Sequence, residues 1–225
     1  MSYLGIVFRL FIKDIKIERR AKEIVSSTLL FALLVVLLSA FAFDLNAGPR
    51  NGASAGVLYI AVTFSGLLAL SRTYLREREF NVWRAMLMLP VPRSALFLGK
   101  MLGVFTFLLV VSLALIPIIE IFFHSPMISH LHLLLPILVL SLLGFSAVGS
   151  LFGAMSIHTR LRDILLGVIL YPLTSPLLIA AVKGTEAVLM GDGLAGARIY
   201  LDILVLIDII YIFGGVWLFG PLMED

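Results

Sequence analysis

Apolar residues are grouped along the chain in long runs, and short polar segments separate one run from the next. The runs lie at residues 24–43, 55–70, 96–123, 131–157, 164–182 and 199–219. Most come close to the ~20 residues that a helix needs to cross a bilayer. None alternates polar and apolar residues with period two, as the strands of a membrane barrel do. Backbone groups in hydrocarbon must be bonded within their own segment, so we predict six membrane-spanning helices.

The composition excludes the other broad classes of protein. Of the 225 residues, 61% are hydrophobic and only 14% are charged, against roughly a quarter charged in soluble domains. So much apolar surface would not fit inside a water-soluble fold of this length, and a disordered chain needs the opposite composition. The absence of cysteine excludes disulfides, thiolate metal sites and cysteine nucleophiles. We therefore expect one all-α polytopic transmembrane domain over residues 1–225.

Lysine and arginine are distributed unevenly between the two sides of the predicted membrane domain. Fourteen lie before the first span, between the second span and the start of the third, which includes Lys100, or between the fourth and fifth. Three lie on the opposite side, at Arg50, Lys183 and Arg198. Because cytoplasmic loops carry an excess of basic residues, both termini are predicted to be cytoplasmic.

Residues 1–22 precede the first span and have a helical amphipathic pattern. Leu4, Phe8, Phe11 and Ile15 share one face, and basic residues occupy the other. We expect a helix that lies in the headgroup layer with its apolar side down. It serves either as a basic anchor on the cytoplasmic side or as part of a contact with a cytoplasmic partner.

Residues 72–93 connect the second and third predicted spans. Charged residues are dense up to Arg84, and Phe80, Trp83 and Leu87 then form a stripe at helical spacing before two prolines end the helix. A short helix with an aromatic stripe is suited to a groove on a partner. The alternative is an ordinary charged loop whose Trp83 lies at the membrane interface.

The sequence contains no motif that indicates catalysis. The only Gly-Lys pair, Gly99-Lys100, is followed by Met101 and lacks the glycine of a phosphate-binding loop five residues earlier. His124, His130 and His132 fall in one outward loop, where interfacial histidines are more common than metal or haem ligands. We expect no catalytic and no metal-binding residue in this chain.

Polar and helix-breaking residues inside two predicted spans are candidates for a functional site. Asp208 lies near the middle of the sixth span, where a charge is costly. The fifth span carries Pro172, Thr174, Ser175 and Pro176 at a matching depth. We expect Asp208 to face these groups, either as a hinge that moves during transport or as a buried polar bond. Gly149 and Gly153 in the fourth span would let another helix, of this or a partner chain, approach closely.

These features together resemble the membrane subunit of an ABC-2-type transporter. The stretch from Arg78-Glu79 to Leu89-Pro90, followed by Pro92-Arg93 and Gly99-Lys100, is similar to the conserved pattern of that family, apart from Asn81-Val82. The resemblance implies an interfacial helix, six spans, cytoplasmic termini and a coupling helix that docks on an ATPase. It implies that the residues that couple to the ATPase are Arg76, Glu77, Arg78, Glu79, Phe80, Trp83 and Leu87.

Two segments make the chain more similar to the CcmB family. One is the run Phe11-x-x-Asp14-x-x-x-Glu18-x-Arg20, and the other is the span-five segment from Leu170 to Ile179. This resemblance implies a non-catalytic permease subunit for cytochrome c maturation in the bacterial inner membrane. Its implied partners are a CcmA-like ATPase, which binds the ATP, CcmC-like and CcmD-like membrane subunits, a CcmE-like haem chaperone and a second copy of the chain.

Three other functions stay open at this stage. Haem is a possible cargo, but an ABC-2-type exporter of a lipid, glycan or drug would share the same architecture. A membrane enzyme would need polar residues clustered across several spans, and none are evident in the sequence. A passive scaffold subunit would leave the ATPase active when Phe80, Trp83 and Leu87 are disrupted.

Overall fold

The computed structural model describes residues 3–20, 22–43, 51–79, 91–155 and 162–221. Within these ranges the regular structure is helical. The helices are α1 Tyr3–Arg20, α2 Lys22–Ala42, α3 Asn51–Glu79, α4 Arg93–Phe123, α5 Leu131–Met155, α6 Arg162–Ala187 and α7 Gly193–Leu218. The prediction of an all-α protein is therefore confirmed over the described part of the chain.

Helices α2 to α7 run alternately up and down. Arg72 of α3 reaches Ser27 of α2, Tyr59 of α3 reaches Thr185 of α6, and Phe97 of α4 packs on Phe219 just after α7. Each of these pairs joins the start of one helix to the end of its neighbour. Two groups of residues mark the ends of the bundle. We call the end with Arg72, Arg93 and Lys100 the basic end, and the end with residues 124–130 and 188–192 the loop end.

Five helical stretches are long and apolar enough to cross a membrane. The last of them, Val168–Leu218, contains most of α6 and all of α7. A π-helical turn at Val188–Asp192 separates the two helices, and Gly191 and Gly193 have φ angles of 99° and 60° there. Glycine is suited to these angles because it has no Cβ. The chain reverses at this turn, as Tyr211 of α7 lies beside Leu173 of α6.

Helix α3 continues well beyond the predicted second span. It runs without a break from Asn51 to Glu79, although residues 72–79 were expected to belong to a connecting segment. These residues include neither glycine nor proline, and arginine, leucine and glutamate are all good helix formers. The first third of the predicted coupling segment is therefore an extension of a core helix.

Helix α1 has apolar residues beyond the face that the sequence predicts, and these residues contact the bundle. Leu4 and Phe8 are exposed, whereas Val7 and Leu10 pack against α4. Tyr3 hydrogen-bonds to Ser94, and Leu10 lies against Gly99, so α1 and the start of α4 run in the same direction. One side of α1 thus contacts the bundle, and Leu4 and Phe8 of the predicted apolar face are exposed.

Glycines of α5 bring that helix close to α3. A Cβ at Gly149 would lie 2.6 Å from Leu70 Cδ1, and one at Gly153 would overlap the ring of Tyr74. The sequence left open whether Gly149 and Gly153 meet a helix of the same chain or of a partner. In the structure they pack on α3 of the same chain.

Candidate functional site

The predicted ATPase-coupling residues lie at or beyond the end of α3. Arg76, Glu77, Arg78 and Glu79 form its last turn. Phe80, Trp83 and Leu87 lie outside the described residues, so their coupling role stays a prediction. The chain is described again from Val91, and α4 begins at Arg93.

An ion pair between α1 and α4 lies inside the bundle, near the end of α3. Lys100 Nζ of α4 is 3.4 Å from Asp14 Oδ2 of α1, and the two side chains are only 5% and 12% exposed. Asp14 Oδ1 is also 3.3 Å from Lys13 Nζ, at the surface. The pair joins the amphipathic helix to the start of α4.

Tyr74 extends this polar cluster to α3 and α5. Its ring lies 5.9 Å below Lys100 Nζ, a distance at which an ammonium is attracted to an aromatic face. Its hydroxyl donates a hydrogen bond of 3.1 Å to the carbonyl of Ser150. Asp14, Lys100, Tyr74 and Ser150, which we call the four-helix junction, therefore connect α1, α4, α3 and α5 just inside the basic end.

The junction was not evident from the sequence, although its two charged residues both lie in motifs. Asp14 belongs to the run that resembles the CcmB family, and Lys100 closes the ABC-2 pattern. The sequence did not indicate that Asp14 and Lys100 pair, because the two residues are far apart in the chain. Only the parallel packing of α1 on α4 brings them together.

Hydroxyl groups hydrogen-bond to three carbonyls in the proline segment of α6. Pro176 has no N–H for the carbonyl of Pro172, and the hydroxyl of Ser175 donates to that carbonyl at 2.9 Å. Thr174 donates to the carbonyl of Leu170 at 2.9 Å. Tyr211 of α7 donates to the carbonyl of Leu173. Hydroxyl groups, and not Asp208, therefore donate the hydrogen bonds to these carbonyls.

Asp208 lies on the packed face of α7, but it contacts different residues from those expected. Its carboxylate is directed at the backbone of Gly144 in α5 and lies beside Leu177 of α6. Within the described part of the chain, neither carboxylate oxygen has a hydrogen-bond partner. The expected bond between Asp208 and the proline segment is therefore not formed in this structure.

The loop end is closed by a second polar network. Asn51, the first residue of α3, donates to the carbonyl of Leu189 in the π-helical turn at 2.8 Å. Ser125 donates to Asn51 Oδ1 at 3.1 Å, and Ser54 donates to Ser125 at 3.0 Å. The side chain of Asn51 therefore holds the α4–α5 loop and the α6–α7 turn against α3.

His124 and His130 lie in the α4–α5 loop and His132 lies in the first turn of α5, and the three are not assembled into a metal site. His130 Nδ1 donates to the carbonyl of Pro126 at 2.8 Å, whereas His124 and His132 are exposed. No group of three or more histidine, aspartate or glutamate side chains among the described residues is placed to hold a metal ion. The loop is instead tied to α4 through Glu120, which accepts the N–H of Ile128.

The long apolar helices, the exposed apolar faces of α2 and α7 and the short polar connections define a helical multi-pass membrane protein. A family model described as "CcmB protein" matches residues 5–213, so the chain belongs to the CcmB family. The chain is also 26% identical over 191 residues to "Heme exporter protein B" of Pseudomonas aeruginosa, with 81% of each sequence covered. Neither of these names denotes an enzyme.

Proposed function

We propose that this chain is the non-catalytic permease subunit of an ABC transporter that serves cytochrome c maturation. The observation that carries the proposal is the CcmB family match over residues 5–213. The relative named Heme exporter protein B supports a role in haem handling. In this proposal six helices span the bacterial inner membrane, both termini are cytoplasmic, and haem is the candidate cargo.

The geometry supports a mechanical role for α3. Its last turn is made by the first residues of the coupling segment, and the helix continues from there into the core. It packs against α2, α4, α5 and α6. A force applied at residues 76–89 by a CcmA-like ATPase would therefore be carried along a rigid helix to four neighbours. ATP binding and hydrolysis belong to that partner.

The remaining partners follow from the family. CcmC-like and CcmD-like subunits would complete the membrane complex, a second copy of this chain would form the other half of the pathway, and a CcmE-like haem chaperone would be released outside. The exposed apolar faces of α2 and α7, with Leu34 and Phe213 among their residues, leave room for such neighbours.

The test is co-purification of the chain with its ATPase from detergent-solubilised membranes. We expect the ATPase to co-purify with the wild type and to be lost, roughly tenfold or more, when Phe80, Trp83 and Leu87 are all replaced by alanine. A tenfold loss corresponds to only about 1.4 kcal/mol, which the removal of one buried aromatic side chain supplies.

Trp217→Ala is the matched control, because Trp217 is an exposed aromatic residue at the same end of the bundle. It should leave co-purification unchanged. The absence of any ATPase from the wild-type complex would refute the proposal. Co-purification that survives the triple substitution would refute the assignment of the coupling residues. A complex that stimulates export of a lipid or glycan, with no effect on cytochrome c, would favour the alternative exporter.

A further inference from the structure

Asp208 is a buried acid in an apolar setting. The residue is only 5% exposed, and no donor among the described residues reaches either of its carboxylate oxygens. It lies where α5, α6 and α7 meet, between the backbone of Gly144 and the side chain of Leu177. A Cβ at Gly144 would overlap Asp208 Oδ1, so glycine there makes the space that the carboxyl group fills.

The charged and titratable groups of α5 and α6 are distant from Asp208 along the helix axes. On α5 the only one is His132, twelve residues from Gly144, which is about 18 Å along the axis. On α6, Tyr171 and Lys183 are each six residues from Leu177, about 9 Å along the axis, and Arg162, Asp163 and Glu186 are farther away.

The titratable groups nearest to Asp208 on α7 and α4 are directed to other partners or to the surface. Tyr211 of α7 donates its hydroxyl to the carbonyl of Leu173, and Asp202 is exposed. Lys100 of α4 pairs with Asp14. No charge of the described chain is therefore placed to compensate an ionised Asp208.

An ionised carboxylate in this position would be expensive. Burial of an ion costs several kcal/mol when no opposite charge or hydrogen-bond donor compensates it. A neutral carboxylic acid avoids most of that cost, because it exposes no net charge to the apolar surroundings. The least costly form of Asp208 in this conformation is the protonated acid.

We propose that Asp208 is a proton-binding site whose occupancy depends on the packing of α7 against α5 and α6. When the three helices are together, a carboxylate oxygen takes a proton from water and forms an O–H bond. When they separate and water reaches the site, that O–H bond breaks and the proton returns to water. The proposal goes beyond ATPase coupling and requires neither a partner nor a cargo.

Infrared spectroscopy of the purified chain in detergent at neutral pH tests whether Asp208 is protonated when the three helices are packed together. We expect the carbonyl stretch of a protonated carboxylic acid in the wild type and its loss in Asp208→Asn. Asp202→Asn is the matched control, because Asp202 is an exposed acid on the same helix, and it should keep the band. A wild type without the band, or a band that Asp208→Asn retains, overturns the proposal.

A second measurement does not depend on how the Asp208 variant folds. Aspartate labelled with carbon-13 at the side-chain carboxyl should shift the band of the wild-type protein. A band that does not move under this label belongs to glutamate or to the terminal carboxyl group, and it overturns the assignment to Asp208.

Gly144→Ala tests the dependence on packing. Its Cβ would force α7 and Leu177 away from α5, so we expect the protonated acid to fall at least twofold at neutral pH. Gly214→Ala is the control, because nothing lies within 4 Å of a Cβ at this position of α7, and it should keep the wild-type band. A band equal to that of the wild type in a folded Gly144→Ala protein overturns the link between packing and proton occupancy.

Discussion

At the scale of single residues, two aspartates lie inside the bundle and are accommodated differently. Asp14 pairs with Lys100, whose Nζ lies over the ring of Tyr74. Asp208 has no such counter-charge within the described chain. The first is a fixed link between helices, since both of its charges are needed together. The environment of Asp208 is suited to a carboxyl group that changes its protonation state.

Asp14→Asn should lower the free energy of unfolding by about 3–5 kcal/mol, because it removes a carboxylate that pairs with the buried Lys100 ammonium. Unfolding in detergent as a function of denaturant measures this. The control is Glu186→Gln, which removes the partner of a lysine that is 55% exposed and should cost at most about 1 kcal/mol. Equal effects of the two substitutions would contradict the structural role of the four-helix junction.

At the scale of helices, small residues of α5 decide how closely α3 approaches. The two helices run in the same direction, with Gly149 at Leu70 and Gly153 at Tyr74. The close contact also brings the hydroxyl of Tyr74 to the carbonyl of Ser150. The helix that carries the coupling segment is thereby held against the centre of the bundle.

Gly153→Ala should destabilise the protein by about 1–3 kcal/mol, as overpacking of a filled core does. The ring of Tyr74 is the obstacle, and the ring cannot turn away without losing its bond to Ser150. Gly56→Ala is the control, since a Cβ at Gly56 meets nothing within 4 Å and should stabilise α3 by roughly 0.5–1 kcal/mol. Thermal unfolding in detergent measures both, and a neutral Gly153→Ala would show that α3 and α5 are less tightly packed.

At the scale of the whole molecule, both ends of the described chain lie at the basic end. Tyr3 bonds to Ser94, and Phe219 packs on Phe97, so both ends contact the first two turns of α4. The proposed topology puts this end in the cytoplasm and the π-helical turn outside. The loop end is held by Asn51, which would have to release Leu189 for the α6–α7 hairpin to move away from α3.

Single cysteines can test this topology because the chain has none of its own. Met190→Cys, on the exposed turn, should react with a membrane-impermeant maleimide in intact spheroplasts. Lys16→Cys, exposed on α1, should react only after permeabilisation. Leu206→Cys, exposed at mid-helix in α7, should resist both treatments because lipid covers it. Labelling of Lys16→Cys in intact spheroplasts would reverse the proposed orientation.

How much of the site was predictable differs from residue to residue. Within the described residues, the predicted apolar runs lie in helices apart from their last residues Phe43 and Phe219, because local hydropathy decides where a helix can cross a bilayer. The sequence singled out Asp208 from its depth in the sixth run, and the structure buries this residue. The residues that contact Asp208 were not predicted, because they are set by the relative rotation of α5, α6 and α7. The pairing of Asp14 with Lys100 was missed for the same reason.

The sequence by itself determined the class of the protein, its helical segments and its family resemblance, because hydrophobicity, helix breakers and motifs are local properties of the chain. The tertiary structure decided which polar groups meet. It joined Asp14 to Lys100, placed the hydroxyl of Tyr211 at the carbonyl of Leu173, and left Asp208 against Gly144. These contacts join residues far apart in the chain, and only the packing and rotation of the helices bring them within bonding distance.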